Sequence, residues 1–183
     1  MKKITANNNI IAITILIVLL GIGVFAADYV KKNVATPDFF AFDPQNATYD
    51  IAGADVTLMN GKAEIEDAPG SASKTVTKYF GNEAAGDLDG DGTPDRAFLI
   101  TQDEGGSGIF YFVVAVLKTS DGYMTTSAMF LGDRIAPQTT EIKDSKLYVN
   151  YADRKETDSM STQPSVNTTR TFKISSAGEL YEL

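Results

Sequence analysis

The chain has 183 residues and contains neither cysteine nor histidine. Without cysteine there are no disulfides and no thiolate metal sites, so cysteine usage says nothing of the redox compartment. Without histidine, Ser-His-Asp triads, Cys-His dyads, the usual zinc sites and imidazole general bases are all excluded. Any enzyme built on this chain would have to run on carboxylates, lysine, tyrosine or a hard metal ion. Basic side chains are also in short supply, 16 against 24 acidic ones, for a net charge of −8. Lys2 and Lys3 are the only charged residues among the first 26, which leaves 14 basic and 24 acidic side chains beyond them, a net charge of −10. Such a surface repels phosphate backbones and anionic headgroups, and no local basic run offsets it. Nucleic acid is therefore not an expected partner.

What the chain does have is enough apolar residues, 43%, for one ordinary core. It also has one long apolar run, Ile10 to Ala26, interrupted only by Thr14. As a helix these residues would span roughly 26 Å, near the lower limit for crossing a bilayer. Lys2 and Lys3 precede the run, which predicts a cytoplasmic N-terminus and an exported C-terminal domain. A buried core helix would carry a polar face, and this segment has none. The expected organisation is a cytoplasmic segment 1–9, a transmembrane signal-anchor or signal peptide 10–27, a linker 28–44 and an exported domain 45–183. Val24-Phe25-Ala26 suits a signal peptidase, and a cut after Ala26 would release the domain. The length of the run favours an uncleaved, single-pass anchor. Pro37 and Pro44 suit an extended tether, in which Phe39, Phe40 and Phe42 meet either the membrane interface or the β domain.

Beyond residue 46 no ten-residue window carries a helical period. Val56 to Met59 and Lys62 to Glu66 flank Asn60-Gly61, a two-residue hairpin signal. Thr75 to Phe80 and Arg96 to Gln102 have strand composition. Ile109 to Lys118 is almost continuously apolar and β-branched, as expected of a central strand buried on both faces. Ser120-Asp121-Gly122 turns the chain into a strand over Tyr123 to Leu131. Leu147 to Tyr151 and Thr169 to Ile174 alternate, and Glu179 to Leu183 closes the set. The expected fold class is all-β, mainly an antiparallel meander or small sandwich, preceded by one transmembrane helix. A single short helix over Ala72 to Phe80 is the one alternative within the domain.

The most informative stretch is Asp87-Leu88-Asp89-Gly90-Asp91-Gly92-Thr93-Pro94-Asp95. Oxygen donors at loop positions 1, 3, 5 and 9 converge when the glycine at position 6, Gly92, permits a sharp turn, and the carbonyl of Thr93 adds a backbone ligand. Carboxylates packed this tightly repel one another unless a hard cation neutralises them, so the expected cofactor is structural Ca2+. An EF-hand would place a bidentate glutamate at position 12, where this chain has Phe98, and would flank the loop with helices. Phe80-Gly81, the acidic loop and the apolar segment Ala97 to Ile100 together resemble a single FG-GAP repeat of integrin-type β-propellers. The resemblance implies a calcium-holding loop between two strands, with Asp87, Asp89, Asp91 and Asp95 as side-chain ligands and Thr93 as the carbonyl ligand. One copy in a chain of this length does not make a multi-blade propeller.

Further segments, Asn46-Ala47-Thr48-Tyr49, Gly70 to Lys74, Gly105 to Tyr111, Leu131 to Gln138 and Val149 to Arg154, resemble uncharacterised exported bacterial proteins over roughly residues 46–170. That resemblance implies an envelope setting and no particular activity. Ser71-x-x-Lys74 has the form of a penicillin-binding nucleophile motif, but its companion motifs are poor and out of order, so a turn serine is the expected reading. Gly105-Gly106-Ser107-Gly108 has the composition of an anion nest yet no helix follows it, which favours a hairpin loop. Asp133-Arg134 and Asp153-Arg154 are expected to form structural ion pairs rather than an anion site. The function expected from these features is a non-catalytic, membrane-anchored extracytoplasmic module with a structural calcium site, which binds an envelope protein or surface ligand. A hydrolase using carboxylates or the bound metal is the alternative.

Overall fold

The computed structural model describes residues 42–183, and every described element is a β-strand. The expected transmembrane segment 10–27, the cut after Ala26, and Phe39 and Phe40 of the linker lie outside these residues. In chain order the strands are β1 (Thr48–Ile51), β2 (Ala54–Thr57), β3 (Lys62–Glu66), β4 (Lys74–Gly86), β5 (Asp95–Asp103) and β6 (Phe110–Thr119). They continue as β7 (Gly122–Thr125), β8 (Met129–Asp133), β9 (Ala136–Lys143), β10 (Lys146–Asp153), β11 (Val166–Ile174) and β12 (Leu180–Glu182). The named strands pair antiparallel, in one large sheet ordered β3-β4-β5-β6-β7 with β8 also on β6, a second ordered β12-β11-β10-β9, and a β1–β2 ribbon. Both sheets are meanders in which consecutive strands pair, except that β8 returns to β6, and they are not propeller blades around an axis.

The apolar run of β6 is explained by cores on both of its faces. Side chains alternate across a strand, so Val113, Ala115 and Leu117 point one way and Phe112, Val114 and Val116 the other. In β5, Ala97 and Leu99 join the first set, Phe98 and Ile100 the second. The first face packs against Leu147, Val149 and Tyr151 of β10, Phe172 of β11 and Leu180 of β12. The opposite face is covered by Tyr49, Ile51, Val56 and Leu58 from the β1–β2 ribbon and the residue just after it. The large sheet is thus the middle layer of three. Phe42 belongs to the second core and lies 5.5 Å from the Tyr123 ring, while its carbonyl accepts a bond from Arg96 Nη1 at 3.0 Å.

Three expectations are corrected. Residues 72–80 form no helix: β4 begins at Lys74, and its β-branched residues Thr75, Val76 and Thr77 pair with β3 on one side, while Val76 and Thr77 pair with β5 on the other. Asn60 and Gly61 do adopt the left-handed turn (φ 53° and 78°), but only Met59 and Lys62 pair across it, so it joins two sheets rather than closing a ladder. The expected strand over 123–131 breaks at Thr126 to Ala128. There Thr126 Oγ1 accepts from Ala115 N (3.1 Å), Ser127 Oγ donates to Asp50 Oδ2 (2.8 Å) and Ala128 N bonds Asp50 O (2.8 Å), pulling the chain onto β1.

The sheets also meet along β4 and β9. A Cβ on Gly86 would lie 2.8 Å from Ile142 Cγ2 and 3.1 Å from its carbonyl oxygen, so only glycine admits this approach. That contact sets the last residue of β4, and hence the loop after it, against the β9–β10 turn.

Candidate metal centre

The β4–β5 connection is the Asp87–Pro94 loop, closed at its base by the Gly86–Asp95 pair. Each aspartate folds it locally by accepting from backbone a few residues ahead, as short acidic side chains do in turns. Asp87 Oδ1 accepts from Gly90 N (2.8 Å) and its Oδ2 from Gly92 N (3.1 Å). Asp89 Oδ1 accepts from Asp91 N (3.0 Å). Asp91 Oδ1 accepts from both Thr93 N (2.7 Å) and Thr93 Oγ1 (2.6 Å). Gly92 has φ 87° with open space where a Cβ would stand, so its glycine is required by backbone conformation rather than by room. Between the first two acids Leu88, 2% exposed, plugs the loop into the core between the sheets.

Asp95 stands apart from the other acids. It is 1% exposed, and its carboxylate is held by three backbone N–H groups. Its Oδ2 takes Leu88 N (2.8 Å) and Asp89 N (3.2 Å), and its Oδ1 takes Lys118 N at 2.9 Å. The residue therefore staples both ends of the loop to the end of β6. Burial pushes its carboxyl above the ordinary range; the bonds from Lys118 and Leu88 pull it down, and the charge of Asp89 pushes it up again. A buried carboxylate whose charge is disfavoured by burial and by a neighbouring acid is a position where a cation is stabilising.

Of the expected ligands, Asp87, Asp89 and Asp95 come together, each offering one oxygen within 4.8 Å of the others. Asp91 is not in this group: its carboxylate is turned onto Thr93, whose hydroxyl and N–H hold it below the usual range. Two partners of the loop carry no sequence signal. Lys118 N is 23 residues from Asp95, and Ser145 Oγ, in the β9–β10 turn, donates to Asp87 O at 3.3 Å. Asp144-Ser145 is legible as a turn, but nothing local says which loop it touches.

The other motifs resolve into structure. Ser71 sits in the β3–β4 turn, its N–H donating to Ala68 O (2.9 Å) and its Oγ accepting from Ser73 N (3.1 Å), while Lys74 pairs with Glu64 at 3.6 Å. Arg134 forks onto Asp133, whose Oδ1 also takes Ile109 N at 2.8 Å and so pins the glycine-rich loop. Arg154 Nη1 donates to the carbonyls of Asp133 (3.3 Å) and Arg134 (2.9 Å), and its Nε to that of Thr162. Asp133-Arg134 is thus an ion pair, as expected, but Asp153-Arg154 is not: Asp153 Oδ1 accepts from the Arg154 backbone N–H at 2.7 Å, and the Arg154 guanidinium is drawn onto loop carbonyls instead.

Burial works against ionisation of Asp133, but Arg134 and the Ile109 N–H outweigh it and hold the carboxyl below the ordinary range. A depressed carboxylate contributes stability that is full above the unfolded pKa and lost as pH falls through the folded one. Asp133→Asn should therefore lower stability by about 1 kcal/mol at neutral pH, and the deficit should vanish in acid once the wild-type carboxyl is protonated. Urea titrations at the two pH values measure this; an equal deficit at both would assign the loss to packing rather than charge.

Comparison with protein-family models, with curated proteins and with solved structures finds no match for this chain.

Proposed function

We propose that the protein is a non-catalytic, membrane-anchored extracytoplasmic β module whose 87–95 loop holds calcium as a structural ion, and that it binds a protein or surface ligand in the bacterial envelope. The observation that carries the metal reading is the convergence of Asp87, Asp89 and Asp95 within 4.8 Å. Calcium takes six to eight oxygens in flexible geometry, so Asp91 joins by exchanging its bond to Thr93 for the ion, and the Thr93 carbonyl adds a backbone ligand. Asp87 and Asp95 are fixed by two and three backbone N–H bonds. Such clamped carboxylates suit holding an ion better than shuttling protons. The resemblance of the loop to an FG-GAP repeat supports the same ion.

Extracellular calcium modules bind with dissociation constants of roughly 0.1–1 mM, so about 1 mM calcium adds roughly 0.4–1.4 kcal/mol by mass action. The melting temperature should rise by about 1–6 °C, and less with magnesium, which dehydrates reluctantly. Asp91→Ala should remove the response and keep the β spectrum, because this side chain is exposed and bonds only Thr93. The same rise in wild type and Asp91→Ala would reduce the effect to surface screening.

The envelope reading rests on Lys2, Lys3 and the Ile10 to Ala26 run. Protease added to intact spheroplasts should degrade the domain, and protection that ends only on lysis would place it in the cytoplasm.

A further inference from the structure

At the end of the sandwich that carries the metal loop, the two large sheets part around a cleft of about 420 Å3. Leu117 of β6, Met124 of β7 and Ile174 of β11 give it an apolar lining; Thr119, Ser176 and Asp89 give it a polar one. Met124 lies over Gly178, its methyl against the space a Cβ would fill, and so forms one wall. Among the described residues that line the cleft, Asp89 alone is charged.

Four turns close this end, at residues 87–94, 120–121, 144–145 and 175–179. They carry Asp87, Asp89, Asp91, Asp121, Asp144 and Glu179; Lys118, Lys143, Lys146 and Lys173 stand at the strand ends that flank them, each next in sequence to a residue of the core face and so alternating away from it. An apolar-lined cleft whose one charged lining residue is an acid selects an occupant with an apolar stem and a positive head. The volume lies toward the small end of the roughly 300–1,000 Å3 of ligand pockets, which suits one side chain rather than a large cofactor. An ammonium has three donors and no acceptor, and Asp89, Thr119 and Ser176 among the lining residues carry side-chain oxygens that accept. A guanidinium is best served by a bidentate fork, and Asp89 Oδ1 is already engaged by Asp91 N.

We propose that this cleft anchors a lysine side chain of a partner protein, with the methylene stem on Leu117, Met124 and Ile174 and the ammonium on Asp89. The inference gives the partner's chemistry for the envelope module proposed above and rests on that reading only for there being a protein partner. Since Asp89 is also an expected calcium ligand, ion and lysine draw on the same carboxylate.

The test uses full-length protein labelled with 13C at its methionine methyls, the Met124 resonance being assigned by Met124→Leu. The probe is Nα-acetyl-lysine N-methylamide, and the control is the norleucine analogue, which has the same stem without the amine. The lysine probe should shift the Met124 methyl saturably at millimolar concentration and the norleucine analogue far less. Asp89→Asn should weaken lysine binding about fivefold, the scale of one partly exposed charge pair. Ser176→Trp, at an exposed turn position, should abolish it by filling the mouth while replacing no residue of the metal loop. No saturable shift, equal shifts from both probes, or undiminished binding in Ser176→Trp would overturn the assignment. Calcium separates the two readings. Weaker lysine binding in its presence supports a shared Asp89, whereas lysine binding indifferent to calcium counts against Asp89 as an ion ligand and leaves the cleft standing.

Discussion

Asp95→Ala should destabilise the domain by at least about 3 kcal/mol, with or without calcium, because it leaves buried backbone donors with no acceptor. The side chain is 1% exposed and takes the N–H groups of Leu88, Asp89 and Lys118. Its loss frees the loop from β6 as well as from its own base. Asp95→Asn keeps the volume and one acceptor oxygen, so only one of those contacts is replaced by a donor facing a donor; about 1–3 kcal/mol is expected. Asp91→Ala, which touches only Thr93 at an exposed position, should leave stability essentially unchanged without calcium. Urea unfolding of the three variants measures the order. If Asp95→Ala and Asp91→Ala fell together, the loop would be an ordinary surface turn with no member built into the core.

The contrast between these two aspartates shows what the sequence could and could not disclose. Both satisfy the spacing of a calcium loop, and spacing is legible because the bonds that fold the loop are local, each aspartate capping a backbone N–H two to five residues on. The bond from Lys118 N to Asp95 crosses 23 residues and depends on where β6 ends, which no local pattern records. The strands divide the same way. The β6 run is readable as buried on both faces because alternation vanishes when both faces are covered, and Phe112 to Leu117 are all buried. β9, Ala136-Pro137-Gln138-Thr139-Thr140-Glu141-Ile142-Lys143, carries no such signal, because an edge strand exposes most of its side chains and tolerates a proline. Its Gln138 falls in a register shift opposite Asn150 and Tyr151, which further breaks the period. The short ribbon strand β1 offers only Tyr49 and Ile51 as buried residues, too few to stand out.

Phe98→Ala should rank among the most damaging single substitutions in the core, at about 3–5 kcal/mol and about 10–20 °C in melting temperature. The ring is fully buried, lies edge-on to Tyr49 at 5.7 Å and tilted against Tyr79 at 5.4 Å, and faces the ribbon side of the large sheet. Phe172 is equally buried but belongs to the core on the other face. If the large sheet separates two cores, losses on its two sides are independent, since residues that share no partners add. Milder substitutions keep the sum measurable: Phe98→Leu and Phe172→Leu should each cost about 1–2 kcal/mol, and the double variant should equal their sum within about 0.5 kcal/mol. Phe98→Leu should also leave calcium binding unchanged, because the loop's apolar plug Leu88 belongs to the Phe172 side. The Phe172 variant, by contrast, loosens the core into which Leu88 inserts, and should weaken calcium binding along with stability. A coupling above about 1 kcal/mol between the two phenylalanines would mean that the layers collapse into one shared core. The metal loop could then no longer be assigned to one face of the sheet.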